Sequence, residues 1–75
     1  MEYDRLVDVK GLCCAVPIAR MKKEFGTMSS GQVALIVSDK VSMLGDVISF
    51  CNMTRHELVK QQEENGIFNF WLKVK

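Results

Sequence analysis

Two adjacent cysteines near the start of the chain, Cys13 and Cys14, are the residues best suited to carry chemistry. They lie four and three residues ahead of Pro17. Proline is tolerated only in the first turn of an α-helix, where its missing N–H would have had no partner. A thiol at such a helix start lies where backbone N–H groups and the positive end of the helix dipole favour the thiolate. Because thiolates are the nucleophilic form, Cys14 is the predicted reactive residue.

Pro17 also limits where this helix begins. It is at most the third helical residue, so the N-cap is Cys14 or a residue just after it. Proline disfavours the helical conformation of the residue before it, which also allows a start at Pro17 itself. In either case Cys14 lies in or beside the loop. An exposed helix end stabilises a nearby anion by about 0.3–1 kcal/mol, a useful but modest contribution.

The apolar periodicity predicts two helices. The first spans residues 15–28, and the second starts after Ser42 as a possible cap and ends near residue 52. Apolar residues recur at helical spacing in both segments: Ile18, Met21, Phe25 and Met28 in the first, and Leu44, Val47, Ile48 and Cys51 in the second.

Four further segments predict strands, at residues 5–9, 32–38, 56–63 and 67–74. Asn65-Gly66 between the last two is a strong hairpin signal. In the last strand one face carries four apolar residues: Phe68, Phe70, Leu72 and Val74. The order is therefore βαβαββ.

The predicted fold class is α+β, a two-layer α/β sandwich with both helices on one face of a four-stranded mixed sheet. The first two strands are expected to be parallel, joined by a right-handed crossover. The other face of the sheet is expected to stay partly wet, with Ile67 and Trp71 as candidate contacts for a partner or a second copy.

Length and composition favour one domain over residues 1–75. A net charge of +1 argues against direct nucleic-acid binding. No apolar run reaches the length of a membrane span, and the first residues lack the features of a signal peptide. Three cysteines, two of them adjacent, make a poor disulfide framework. The expected location is the cytoplasm.

Residues 7–17, VDVKGLCCAVP, resemble the signature of the TusA/SirA-like sulfur-carrier family: an aspartate, a Gly-Leu pair, then a cysteine followed by prolines. The resemblance continues along nearly the whole chain. Its other matches are the MSSG segment at 28–31, then Asp46, Phe50 and Cys51, and finally His56-Glu57-Leu58.

The resemblance implies a βαβαββ sandwich and persulfide chemistry. Matched by position to the signature, Cys14 accepts sulfane sulfur from a donor protein of the desulfurase or rhodanese type. It then passes the sulfur to an acceptor protein, a sulfurtransferase activity that requires no cofactor. Nothing in the residues selects among tRNA thiolation, cofactor assembly and sulfur oxidation as the pathway.

The sequence departs from the signature at three positions. Ala15 stands in place of the first proline, which is expected to loosen the loop. Cys13 adds an auxiliary thiol that could resolve a persulfide or close a strained vicinal disulfide with Cys14. Arg55 replaces a glycine often found before His-Glu-Leu. Because of Ala15, a binding or regulatory module without sulfur transfer remains the alternative function.

The remaining candidates have mainly structural interpretations. Asp8 is expected to bond loop amides, with Gly11 and Pro17 shaping the loop and the helix start. Arg20, Lys22 and Lys23 are candidates for docking an acidic partner. Metal binding is disfavoured, because adjacent cysteines lack the usual ligand spacing; its hypothetical ligands are Cys13, Cys14, Cys51 and His56. Cys51 is expected to pack in the core.

Overall fold

A computed structural model of the chain describes residues 3–12 and 16–75. Its elements follow the predicted βαβαββ order. The strands are β1 (Arg5–Asp8), β2 (Val33–Ser38), β3 (Glu57–Glu64) and β4 (Ile67–Lys73), and the helices are α1 (Val16–Phe25) and α2 (Met43–Thr54).

The four strands form one mixed sheet in the order β1-β2-β4-β3. β1 and β2 are parallel as expected, and β4 is antiparallel to both β2 and β3. The sheet therefore has two distinct ends. We call residues 8–12, 38–42 and 64–67 the site end, and residues 30–33, 55–57 and 73–75 the far end. Because each helix follows a parallel strand, α1 and α2 both start at the site end and finish at the far end.

The hydrophobic core lies between the sheet and the two helices. Strand residues pointing toward the helices alternate with residues on the open face. This confirms the predicted two-layer sandwich and the predicted core face of β4. The fully buried apolar residues of the sheet include Val7, Ala34, Ile36, Phe70 and Leu72, and those of the helices include Met21, Met43, Val47 and Phe50.

The end of α1 comes three residues earlier than predicted. The helix stops at Phe25, and Gly26 then donates its N–H to the Lys22 carbonyl at 3.0 Å. The Thr27 hydroxyl bonds the Glu24 carbonyl at 2.8 Å, which completes the turn. Glycine weakens helix continuation, and the next two backbone N–H groups, of Thr27 and Met28, bond carbonyls three residues back instead of four, each at 3.2 Å. Met28 still packs against the core, as its place in the apolar pattern predicted.

The buried face of α2 is rotated relative to the prediction. Met43, Val47 and Phe50 are buried, whereas Ile48 is half exposed. The helix is apolar around most of its circumference, so its periodicity did not define a single buried stripe. Ser42 holds the N-cap position, but its side chain makes no capping hydrogen bond and its backbone is already helical. The predicted Ser42 cap is therefore wrong in its mechanism.

On the open face, Trp71 is covered rather than available for docking. It is 7% exposed, and the Lys60 ammonium lies 5.2 Å from its ring centroid. Lys60 and Trp71 are cross-strand partners next to a β-bulge in β3, between Leu58 and Lys60. Of the two candidate contacts on this face, only Ile67 is partly exposed.

Both helices are short, with ten residues in α1 and twelve in α2. A helical membrane span needs about 20 apolar residues. Across the part of the chain that the structure describes, neither helix meets the length and apolarity of a membrane span.

Candidate functional site

The candidate site is the loop that leaves β1 and enters α1. Cys13, Cys14 and Ala15 lie outside the described residues, so the structure defines the site by its flanks. Leu12 precedes Cys14 by two residues and Val16 follows it by two. Leu12 packs against the core, and its N–H donates to the Val9 carbonyl at 3.2 Å. The loop therefore leaves the sheet from a fixed point.

Asp8 begins the loop with a local hydrogen bond. Its Oδ1 accepts the backbone N–H of Lys10 at 3.0 Å, two residues further on. This is the Asx-type bond that aspartate commonly makes at turns. The Lys10 Nζ also lies 3.9 Å from Asp8 Oδ2, although both side chains are about half exposed. An exposed pair of this kind contributes little free energy, so the backbone bond is the more important one.

A second carboxylate reaches the same loop from β2. Asp39 Oδ1 accepts the Gly11 N–H at 3.1 Å, across 28 positions of sequence. This backbone hydrogen bond lowers the pKa of Asp39, because it stabilises the charged carboxylate. Gly11 has a φ of +79°, in the left-handed region that side chains other than glycine's rarely adopt. The loop thus turns at Gly11 and is bonded there to the residue that follows β2.

α1 begins on the other side of the cysteines. Pro17 is the second residue of the described helix and is buried, consistent with the limit that proline imposes on a helix start. Val16 is 53% exposed, and Val41, in the loop after β2, is 68% exposed. The site end therefore presents isolated apolar side chains to solvent beside the start of the helix.

The three predicted docking cations differ in their surroundings. Arg20 pairs with Glu24 one turn later, its Nε lying 3.5 Å from Oε2. Lys22 and Lys23 are exposed in the last turn of α1, toward the far end. Among residues 3–12 and 16–75 they form no ion pair. Cations in a last helical turn also stabilise the negative end of the helix dipole, which is a structural reason for both lysines.

Cys51 and His56 lie away from the site end. Cys51 is half-buried in the third turn of α2, where burial raises the pKa of its thiol. The His56 ring packs edge-on against Phe25 at 4.8 Å between centroids and also contacts Phe50. Within the described ranges no three potential metal-binding side chains cluster. Cys51 is a half-buried core neighbour, as predicted, with low thiolate character.

Asp39 is the site-end residue that sequence reasoning missed. A signal for it was present, because Asp39 directly follows the buried strand β2, as Asp8 ends β1. Parallel neighbouring strands finish at the same edge of a sheet. Their terminal polar residues are therefore brought together by the predicted topology alone.

The fold and this loop define the class of protein: a small α/β sandwich with a cysteine loop opening onto a helix start. A family model described as sulfurtransferase TusA matches residues 5–74. The chain belongs to the TusA family.

Individual relatives agree with this assignment. The chain is 38% identical over 72 residues to the sulfur carrier protein TusA of Allochromatium vinosum, covering 96% of this chain and 95% of the relative. It is 32% identical over 73 residues to a putative sulfur carrier protein, YrkI, of Bacillus subtilis, covering 97% of each.

A solved structure supports the fold independently. The crystal structure of a SirA-like protein from Desulfitobacterium hafniense superposes with a TM-score of 0.80. The superposition covers 93% of this chain and 96% of that one, at 17% sequence identity. At this identity the likeness concerns the fold, and it confirms the predicted two-layer architecture.

Proposed function

We propose that the protein is a sulfur carrier that holds sulfane sulfur as a persulfide on Cys14. A donor protein of the desulfurase or rhodanese type loads it, and an acceptor protein unloads it, in the cytoplasm. Family membership and the names of the relatives support the carrier role. The position of Cys14 between Leu12 and Val16, in the loop between β1 and α1, supports its assignment as the carrying residue.

The described flanks carry this assignment. Two residues of chain span at most about 7 Å, so Cys14 stays close to the start of α1 at Val16. The first turn of a helix has N–H groups without helical partners, and its dipole is positive there. Both contributions favour a thiolate over a thiol. The neighbouring start of α2 presents a second helix N-terminus at the same end of the sheet.

The transfer step is a thiolate exchange. The Cys14 thiolate attacks the outer sulfur of the donor persulfide, forming a new S–S bond as the donor's S–S bond breaks. The donor cysteine leaves as its thiolate, and Cys14 now bears the persulfide. No net oxidation or reduction occurs, because the sulfane sulfur moves from one thiol to another. Unloading repeats the exchange with an acceptor nucleophile attacking the outer sulfur.

Mass spectrometry after incubation with a cysteine desulfurase and cysteine tests the proposal. The wild-type chain should gain one sulfur atom, removable by a reducing thiol. Cys14→Ser should gain none, whereas Cys13→Ser should still be loaded. Cys51→Ser is the matched control, because Cys51 is a half-buried thiol distant from the loop. Loading that survives Cys14→Ser would refute the assignment of the carrying residue.

The role of Cys13 is accessible in the same experiment. If Cys13 resolves the persulfide, the wild-type chain should lose its added sulfur faster than Cys13→Ser does. The decay of the loaded species is measured after removal of the donor. Equal decay in the two proteins would show that Cys13 does not resolve the persulfide.

Partner docking is proposed to use the surface next to the loop together with the cations of α1. Arg20 lies four residues after Val16, whereas Lys23 lies seven residues after it, about 6 and 10 Å along the helix axis. The charge reversal Arg20→Glu should therefore slow loading by an acidic donor more than Lys23→Glu does. Equal effects would indicate general electrostatic steering instead of a contact.

A binding or regulatory module without transfer is the alternative, favoured by Ala15 in the signature. It predicts an unloaded Cys14 and a partner complex that persists in Cys14→Ser. Co-purification of a partner with that variant, together with failure of sulfur loading in the wild-type chain, would favour this alternative.

A further inference from the structure

We infer that Asp39 is a positioning residue for the cysteine loop: its carboxylate holds the loop at Gly11 and thereby sets the reactivity of Cys14. This inference rests on the proposed function of Cys14 and adds a residue from outside the signature segment. Asp39 lies 25 positions after Cys14 in sequence, yet the parallel pairing of β1 and β2 places it beside the loop.

The backbone that carries the Asp39 carboxylate is held in place by its neighbours in sequence. Asp39 follows Ser38, which is fully buried at the end of β2. The Ser38 hydroxyl oxygen accepts the N–H of Lys40 at 3.1 Å, fixing the backbone on the other side of Asp39. Directly after the neighbouring strand β1, Val9 donates its N–H to the Val37 carbonyl at 2.8 Å. The bond from Gly11 to Asp39 therefore joins two anchored segments.

Gly11 is the point at which such a bond controls the loop most directly. Its φ of +79° reverses the chain after β1, and the bonded N–H fixes the orientation of that peptide group. Cys14 lies three positions after Gly11. A rotation of the Gly11 peptide would redirect the chain that leads to the cysteine, whereas the α1 side is already held by buried Pro17. Asp39 thus restrains the β1 side of the loop at exposed Gly11, and the neighbouring Leu12 packs against the core.

The hydrogen bond of Asp39 and its negative charge are expected to have opposite effects on the fraction of Cys14 that is thiolate. A negative charge near a thiol disfavours the thiolate, whereas a loop held at the helix start favours it. Lys10 and Lys40 lie close enough to Asp39 to lower its pKa, and they offset part of its charge. We therefore expect positioning to be the larger contribution. Two substitutions separate the contributions: Asp39→Asn keeps an acceptor oxygen and removes the charge, whereas Asp39→Ala removes both.

The experiment measures two quantities in a Cys13→Ser background, so that only one thiol of the loop reacts. Amide hydrogen exchange at Gly11, followed by NMR, reports the bond. The rate of Cys14 alkylation by iodoacetamide as a function of pH reports the fraction of thiolate. Glu57→Ala serves as a control, because it removes one negative charge at the far end of the sheet.

In Asp39→Ala, Gly11 exchange should accelerate by roughly 5-fold or more. The pH midpoint of Cys14 alkylation should rise relative to Asp39→Asn. Asp39→Asn should keep slow exchange and a midpoint at or below that of the starting protein, and Glu57→Ala should change neither quantity. Identical behaviour of Asp39→Asn and Asp39→Ala would overturn the inference, because the charge alone would then explain any effect.

Failure of the inference is distinguishable from failure of the proposed function. If Cys14 is not loaded with sulfur by any donor, the carrier role fails, while alkylation still reports whether Asp39 positions the loop. If loading occurs but Asp39→Ala leaves both exchange and the pH midpoint unchanged, the carrier role stands and Asp39 has no positioning role.

Discussion

The site end and the far end of the sheet are built from different interactions. At the site end, exposed carboxylates of Asp8 and Asp39 accept hydrogen bonds from loop amides. At the far end, the rings of Phe25, Phe50 and His56 stack edge-on or tilted within 5.8 Å of one another. Apolar packing stabilises the far end, whereas polar bonds orient the site end without sealing it.

This difference suits the proposed carrier role, in which the Cys14 thiol is presented to other proteins. Apolar burial stabilises strongly but excludes solvent and partners, so a site packed in that way would be inaccessible. Exposed hydrogen bonds contribute little net free energy, yet they fix direction. The aromatic packing that stabilises the fold therefore lies at the far end, where the helices finish. The flanks of the cysteine loop lie at the site end, where the helices start.

Truncation of Phe50 should have the largest effect on stability. Phe50 is 1% exposed and contacts both Phe25 and His56. Phe50→Ala should lower the free energy of unfolding by about 3–5 kcal/mol, measured by urea denaturation. If this variant does not fold, Phe50→Leu provides a measurable smaller loss of about 1–2 kcal/mol.

Ile48 provides the matched control on the same helix. It is 50% exposed, although the apolar periodicity placed it on the buried stripe. Ile48→Ala should cost less than about 1 kcal/mol. A loss at Ile48 equal to that at Phe50 would contradict the orientation of α2 described above.

Replacement of Arg55 should stabilise the far end. Arg55 follows α2 with a φ of +67°, and its N–H bonds the Cys51 carbonyl at 2.8 Å. Glycine adopts this left-handed conformation without the steric cost that a Cβ imposes. Arg55→Gly should raise the free energy of unfolding by about 0.5–1 kcal/mol. Arg55→Ala removes the same charge but keeps the Cβ, so it should give no such gain; equal gains would implicate charge instead of backbone strain.

The contrast between the two ends also shows what the sequence could predict. The order of elements and the core face of β4 followed from local periodicity, which depends only on nearby residues. The face of α2 did not, because apolar residues surround that helix and both Ile48 and Phe50 fit a helical stripe. Packing against Phe25 and His56 selects Phe50.

Long-range polar contacts were the other feature that the sequence did not predict. The bond between Asp8 and Lys10 spans two residues and could be expected from turn chemistry. The bond between Gly11 and Asp39 spans 28 residues and requires the parallel register of β1 and β2. The predicted topology and the predicted strand end at Ser38 place Asp39 near the loop, but periodicity does not specify which backbone N–H its side chain bonds. The assignment of the site to the signature cysteine stays a prediction, and the contact from Asp39, directly after β2, was missed.

At the site end, removal of a carboxylate should lower the free energy of unfolding much less than truncation of Phe50 does. Asp8→Ala deprives the Lys10 N–H of its acceptor at an exposed position. The expected loss in the free energy of unfolding is below about 1 kcal/mol, because water replaces the acceptor. Urea denaturation measures it, with Asp8→Asn as the variant that keeps an acceptor oxygen. A loss comparable to that of Phe50→Ala would show that the site end is a stabilising element after all.

The smallest expected effect is the contribution of His56, at the far end, to the pH dependence of the free energy of unfolding. Desolvation lowers the pKa of His56 below its ordinary value of 6.5, and its Nδ1 accepts the Lys75 N–H at 3.1 Å. The unfolded chain therefore binds a proton more readily than the folded one, so this contribution is present above pH 6.5 and is lost as the pH falls toward the lowered pKa. His56→Gln should remove that part of the pH dependence between about pH 7.5 and 5.5 in urea titrations. Because the ring is only partly buried, the slope should be small, and an unchanged slope in His56→Gln would assign the pH dependence to groups outside the aromatic cluster.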